Sequence, residues 1–258
     1  MMNDERNLKS TESSERVACW RLIEDGAGDA LPNMARDEAL FEAVAANEAP
    51  PTLRLYEWDR PSVSIGRFQN VDRTVNAANC ERFGVPIARR ITGGRGILHG
   101  HDLTISAAGI VEPGLNANTL AIYYWLAQGF IAAFHALDVP AQIGACSIKR
   151  PQETQGDCFS CISQADVVHA VSGRKLLGAA LHLRQNARQN VFLLQASIPL
   201  FCEDAAIVPS LVPADVFLGQ GSQTDAAMRG ISTAAMRQAI RFGLTSALNF
   251  SFDLPSEP

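Results

Sequence analysis

Hydrophobic positions recur along the chain with two periods, two and 3.6, and the switches between them mark out the elements. Residues 17–23 (VACWRLI) predict a first strand. From Asn33 onward, Met34, Leu40, Phe41 and Val44 fall at helical spacing, which predicts a helix capped by Asn33 and running to about Ala46, before Pro50 and Pro51 stop the unit. Residues 53–58 and 62–65 predict strands around Pro61, 72–83 a short helix, and 87–90, 96–98 and 103–108 further strands. The longest helix is expected over 120–137, with Trp125, Gly129, Ala132 and Ala136 forming a stripe suited to close packing on a sheet. Residues 167–171 and 176–183 flank Ser172-Gly173, a hairpin signal, followed by a strand over 189–194 and a helix within 224–248. Hairpins interleaved with helices predict an α+β fold, with a mixed, mostly antiparallel sheet flanked by helices, and argue against a βαβ winding.

Composition narrows the picture. The chain has 258 residues, 47% of them hydrophobic, enough for the core of one large domain, and 19% charged, too few for wholesale disorder. Residues 1–16 are polar and read as a disordered tail, leaving 17–258 as a single domain. The uncharged stretch 114–137 contains Asn116, Asn118, Gln128 and His135, so a buried helix explains it better than a membrane span. A net charge of −5 argues against nucleic acid as the main partner. Cys19, Cys80, Cys146, Cys158, Cys161 and Cys202 are scattered, and with no apolar leader they are expected as reduced thiols in a cytoplasm.

Three segments carry chemistry. Gly93-Gly94-Arg95-Gly96 lacks the lysine ending of a phosphate loop and the spacing of a dinucleotide fingerprint. Its glycines let backbone approach a ligand, and Arg89, Arg90 and Arg95 supply charge for a phosphate or carboxylate; an ordinary solvated turn with basic neighbours is the other reading. His99-Gly100-His101-Asp102 crowds two histidines and an aspartate together, but no second ligand pair accompanies them, so a metal site is not expected. Cys158 and Cys161 form a C-x-x-C that is either a pair of half-buried thiols or the seat of a nucleophile. A thiol attacks strongly only as thiolate, and a neighbouring cation is the usual means of holding it there; Lys175, after Ser172-Gly173-Arg174, is the candidate.

These segments, in this order, resemble the lipoate-protein ligase A / octanoyltransferase family, in particular its cysteine-containing octanoyltransferases. The resemblance rests on the stretch from Asn33 to Leu40 (NMARDEAL), on Pro61 to Asn70 (PSVSIGRFQN), on Arg89 to His99 (RRITGGRGILH), on Cys158-Phe159 and on Gly173-Arg174-Lys175. It implies a fold shared with biotin protein ligases and class II synthetase-like domains. It also implies an octanoyl transfer with Cys158 as acyl carrier and Lys175 polarising the carbonyl. Arg90, Gly93, Gly94, Arg95, His99, Gly178, Ala179, Ala180 and Ser197 would line the substrate site, with backbone N–H groups near Gly178 receiving an oxyanion. The implied partners are acyl carrier protein as donor and a lipoyl domain, such as glycine cleavage H protein or an E2 subunit, as acceptor. The donor thioester is already activated, so no cofactor is expected. Basic residues around the site (Arg89, Arg90, Arg95, Lys149, Arg150, Arg174, Lys175, Arg184, Arg188) would steer an acidic carrier. The chain departs from the family pattern at His99-Gly100, at Gly178-Ala179-Ala180-Leu181 and at Gln195-Ala196-Ser197. An ATP-dependent lipoate ligase, an amidotransferase between lipoyl domains and a non-catalytic acyl-carrier-binding relative therefore stay as alternatives.

Overall fold

The computed structural model describes residues 19–112, 114–145, 158–160, 162–185, 188–200, 216 and 225–253. The predicted tail, Cys146, Lys149, Arg150, Cys161 and Cys202 lie outside the described residues.

Eleven strands are described: β1 (Cys19–Gly28), β2 (Thr52–Trp58), β3 (Ser62–Ile65), β4 (Ile87–Arg89), β5 (Ile97–His99), β6 (Asp102–Ile110), β7 (Ala141–Ile143), β8 (Val167–His169), β9 (Gly178–Gln185), β10 (Asn190–Pro199) and β11 (Ser251–Phe252). With them come the helices α1 (Ala30–Ala45), α2 (Ala77–Arg82), α3 (Thr119–His135) and α4 (Thr233–Leu248). Six strands form the main sheet in the order β11-β1-β2-β6-β10-β9. Its β1 pairings are parallel and the other three are antiparallel, in line with the mixed α+β expectation.

Both faces of this sheet are covered. On one, Leu53 and Leu55 of β2, Leu103 and Ile105 of β6, and Phe192, Leu194, Ala196 and Ile198 of β10 meet the α3–α4 pair. On the other, Phe41 and Val44 of α1 pack on Ala108, Val191 and Leu193. The intervening positions are polar yet buried: Arg54, Thr104, Ser106, Gln195 and Ser197. The alternation along β6 therefore marks a polar face turned into the protein instead of toward water. A small sheet, β4-β3-β5, with its own core of Val63, Ile65, Val75, Cys80 and Val85, lies beyond the site.

Several local expectations change. Helix α1 is capped by Asp29, whose carboxylate accepts from the Ala30 N–H at 2.8 Å. Asn33 lies inside the helix and is buried, its amide donating to Gly28 O and accepting from Arg54. The helix expected over 72–83 is broken, because two asparagine caps, Asn70 and Asn76, separate a 3₁₀ turn (Val71–Arg73) from α2 while Val75 tucks into the small core. The arms of the 167–183 hairpin part company. β8 pairs with β7, whereas β9 joins the main sheet beside β10, leaving a tip held by the Val168–Lys175 bridge.

Gly129 of the α3 stripe meets a helix, while Trp125 at its start packs on Phe192 of the main sheet. A Cβ at Gly243 of α4 would lie 2.2 Å from Gly129 O and 2.5 Å from Ala133 N. Backbone is thus packed on backbone where the two helices cross. Gly243→Ala gains about 1 kcal/mol of helix propensity but overpacks this crossing at a cost of about 1–3 kcal/mol. Urea unfolding should show a net loss of stability; a gain would mean the helices part at little cost.

Candidate active site

The site is assembled where the small sheet faces the polar side of the main sheet. Arg90, directly after β4, is buried and donates from Nη1 to Ser64 O (3.0 Å) and Ser64 Oγ (2.6 Å). Its Nη2 donates to Gly93 O (3.2 Å) and Arg95 O (2.9 Å), so the side chain fastens the glycine loop from within. The neighbouring Arg89 donates to the carbonyls of Gly66, Arg67 and Gln69. Two glycines allow the loops to meet: a Cβ at Gly66 would lie 2.1 Å from Gly94 O, and Gly94 itself takes φ +85° against Ala180. The loop in turn holds the cysteine, as the Cys158 N–H donates to Gly96 O at 3.0 Å.

Cys158 opens a single 3₁₀ turn (Cys158–Ser160) and is buried. Lys175, also buried, sends its ammonium to Asp166 Oδ2 (2.8 Å), Cys158 O (3.2 Å) and Cys158 Sγ (3.6 Å). Burial works against the charge on Lys175, but the charges of the Cys158 sulfur and the Asp166 carboxylate outweigh it and hold the ammonium above the ordinary lysine value. Burial pulls the Arg90 guanidinium below its ordinary value, with the Cys158 charge opposing. The turn that carries Lys175 is pinned at its tip: Ser172 Oγ donates to Asp225 Oδ2 at 2.5 Å and lies 2.9 Å from His169 Nδ1.

His99 ends β5, stacks on Trp58 (ring centroids 3.9 Å apart, 17° between planes) and places Nδ1 2.7 Å from Asp102 Oδ2. Its Nε2 is 2.7 Å from Ser64 Oγ, and because the Asp102 carboxylate can only accept, the Nδ1 of His99 carries a proton. His101 lies exposed in the following turn, so the two histidines do not share a strand face. The acid that pairs with His99 is Asp102, three residues on, across the Gly100 departure. Below, Asp37 accepts from Arg54 Nη1 (2.7 Å), Gln195 Nε2 (2.8 Å) and Tyr56 OH (2.9 Å), and Gln195 Oε1 accepts from Thr92 Oγ1 (2.8 Å). Gln195 therefore ties the main sheet to α1 and to the glycine loop.

A narrow pocket joins these parts, with about 350 Å³ of unfilled space counting its open mouth. Of the predicted residues, Arg90, Gly94, Arg95, His99, Cys158, Ala179, Ala180 and Ser197 line it. Gly93, Gly178 and Lys175 stand just behind: Gly93 through its carbonyl on Arg90, Gly178 against the sulfur, Lys175 beyond the sulfur. Tyr56, Trp58 and Thr104 of the main sheet, Met34 of α1, and Asp166 behind Lys175 escaped the sequence reading, whereas Gln195, marked there as a departure, lines the pocket. The alternation of Thr104 and Ser106 with apolar neighbours was a signal for the buried polar face; nothing local marked Asp166.

Part of the basic set expected for steering is engaged within the protein. Arg89, Arg90 and Lys175 are committed to internal partners, and Arg184 forms a two-pronged pair with Glu42 (2.6 and 2.7 Å). Among the described residues, no group of three or more His, Cys, Asp or Glu is placed to hold a metal. None of the described helices is long and apolar enough to cross a membrane.

Two consequences can be measured. A Cβ at Gly178 would lie 3.1 Å from Cys158 Sγ and 3.0 Å from Phe159 Cζ. Gly178→Ala should slow alkylation of Cys158 by iodoacetamide about tenfold, equivalent to about 1.4 kcal/mol, with an unchanged circular dichroism spectrum; native reactivity would refute the close approach. At Asp102, burial alone would raise the pKa, but His99, Ser197 and the Gly100 N–H outweigh it and hold the carboxyl below its ordinary value. The stability this adds is complete above the unfolded-state pKa of about 3.9 and is lost as pH falls through the lower native value. Urea unfolding at stepped pH should show the advantage over Asp102→Asn shrinking from about pH 5 toward pH 2; a constant gap would exclude the charge as its source.

The chain is similar to proteins whose names bear on this geometry. Octanoyltransferase LipM of Carboxydothermus hydrogenoformans is 34% identical over 177 residues, covering 68% of this chain and 62% of that protein. Octanoyltransferase LipM of Kyrpidia tusciae is 35% identical over 199 residues, 73% of this chain and 68% of that one. Octanoyltransferase LipM of Exiguobacterium sibiricum is 29% identical over 252 residues, 90% and 88% of the two chains. Among solved structures, protein Ta0514 of T. acidophilum with bound lipoic acid superposes with a TM-score of 0.69 at 19% identity, covering 90% of this chain and 87% of that one. A lipoate-protein ligase A bound with ATP gives 0.66 at 19% identity, with 93% and 89% covered. The lipoyl protein ligase A/B catalytic domain matches residues 29–204, most of the sheet and the whole of the Cys158–Lys175 site, and the chain belongs to that family.

Proposed function

We propose that the protein is an octanoyltransferase of lipoate biosynthesis that carries the acyl group on Cys158. The Cys158 thiolate attacks the carbonyl carbon of an octanoyl thioester on acyl carrier protein; the new C–S bond forms as the bond to the phosphopantetheine sulfur breaks, and that sulfur leaves with the electron pair. A lysine amine of a lipoyl domain, such as glycine cleavage H protein or an E2 subunit, then attacks the enzyme thioester. The C–N bond forms, Cys158 departs as thiolate, and the nitrogen sheds a proton. Each half-reaction begins or ends with a charged sulfur at position 158, and Lys175 is the cation that faces it. The donor is already activated, so no ATP enters, and the reaction belongs in the cytoplasm with its carriers.

The observation that carries this reading is one sulfur opening on a narrow pocket with an ammonium 3.6 Å behind it. The pocket walls favour a hydrocarbon guest. Ser64, Arg90, His99, Thr104, Gln195 and Ser197 all line it, but their polar atoms are hydrogen-bonded to protein partners, leaving Met34, Trp58, Ile97 and the alanines of β9 and β10 to touch the chain. The octanoyltransferase names of the relatives agree with it.

Intact mass after incubation with octanoyl-loaded acyl carrier protein and no ATP tests the proposal. An adduct of one octanoyl group, absent from Cys158→Ala, is expected. Labelling that demands free octanoate and ATP would point to a ligase instead, and an unlabelled protein under both conditions would refute transfer.

A further inference from the structure

The acyl-enzyme reading raises a problem that the site must solve. Its second half-reaction is attack of a lysine amine on the Cys158 thioester, yet the protein keeps a lysine of its own 3.6 Å from that sulfur. An acyl carbon bonded to Sγ would stand close to the about 3–3.5 Å at which reacting atoms meet. As a free amine, Lys175 would capture the acyl group. Its side chain is only 4% exposed, and burial favours the neutral amine, the nucleophilic form. While Cys158 is a thiolate, the sulfur's charge holds the proton on Lys175. Once the sulfur is acylated, that charge is gone.

Asp166 is what remains. Its Oδ2 lies 2.8 Å from Lys175 Nζ and also accepts from the Ser163 N–H at 2.6 Å. Its own carbonyl accepts from the Gly144 N–H at 2.8 Å, and Ala165 before it takes a left-handed φ of 64° to turn the chain inward. The carboxylate is therefore fixed by its own loop, whatever the state of the sulfur. Two other titratable groups face this cluster. Arg90, after β4, adds positive charge and so opposes protonation of Lys175. Tyr123, on α3, is a phenol held neutral by burial and by the nearby Cys158 and Asp166 charges. Of the two anions acting on Lys175, Cys158 and Asp166, only Asp166 keeps its charge in the acyl-enzyme.

We propose that Asp166 is a positioning residue that keeps Lys175 an ammonium throughout the cycle, so that this lysine serves the sulfur as counter-ion and cannot take the acyl group itself. Without the carboxylate, the Nζ lone pair attacks the thioester carbonyl carbon, the C–N bond forms and the C–S bond breaks. Cys158 then leaves as thiolate and takes up the proton that the nitrogen sheds. The product is an octanoyl amide on Lys175, a dead end.

The test loads the full chain from octanoyl-loaded acyl carrier protein with no lipoyl acceptor, then treats it with hydroxylamine, which cleaves thioesters and spares amides, and maps the adduct by peptide mass. The native protein should carry a hydroxylamine-labile group on Cys158. Asp166→Asn should accumulate a resistant group on Lys175 at least tenfold faster. Asp166→Glu should restore the native pattern, and Asp166→Asn with Lys175→Arg should form no amide. A labile Cys158 adduct alone in Asp166→Asn overturns the proposal. Should Asp166→Asn fail to fold, Asp166→Ser takes its place: faster amide formation on Lys175 supports the proposal, and a labile Cys158 adduct alone overturns it. If the native protein takes no labile group at all, the acyl-enzyme reading fails, and the proposal fails with it.

Discussion

A sheet covered on both faces has to satisfy within the protein every polar side chain it carries, and this one carries many. An unpaired polar group in such a place costs about 1–3 kcal/mol, and an unpaired charge more. Two connected networks meet most of the demand; among the described residues, Ser106 Oγ on this face and Trp20 Nε1 are left without a partner. One joins Arg54, Asp37, Tyr56, Gln195 and Thr92; the other joins Asp102, His99, Ser64 and Arg90. Both end on the glycine loop, the first at Thr92, the second through Arg90 on the carbonyls of Gly93 and Arg95. The loop that carries Cys158 on Gly96 O is thus an extension of the sheet's own hydrogen bonding. Pocket walls whose polar atoms are already spent leave an apolar lining, a direct result of the same constraint.

Charge balance governs the immediate surroundings of the sulfur. Arg90 and Lys175 approach from the loop side and the hairpin side, and Asp166 supplies a permanent negative charge. With Cys158 ionised, these four charges sum to zero, and their mutual attraction offsets part of the desolvation that burial imposes on each. Arg89 and Arg184, basic residues that look like part of a docking face in the sequence, stay at the surface with partners of their own. Arg89 caps carbonyls of the 66–69 turn, and Arg184 grips Glu42 across the α1 face.

Much of the architecture was legible in the chain. Residues 53–58, 62–65, 87–90 and 103–108 all proved to be strands, because β-branched and apolar residues fit a pleat wherever it is placed. The Cys158–Lys175 pair was legible as chemistry, since a thiol and a cation flanking a small-residue strand make sense without coordinates. Caps were less so: Asn33 has the chemistry of an N-cap, and Asp29 won the position because Asn33 is needed by Arg54 and the end of β1.

What the sequence determined alone was most of the elements, with β7 and β11 unpredicted, their periodicity, and the residue types able to form an acyl-enzyme. What only the tertiary structure decided was which groups meet. Asp166 and Lys175 sit nine positions apart on either side of a hairpin tip, and their contact exists because β8 pairs with β7 while β9 leaves for the main sheet. Gln195 reaches Asp37, 158 positions away, only because α1 lies over β10. Local propensity acts over a few residues, whereas burial and charge pairing act through space, and the function of this site resides in the second.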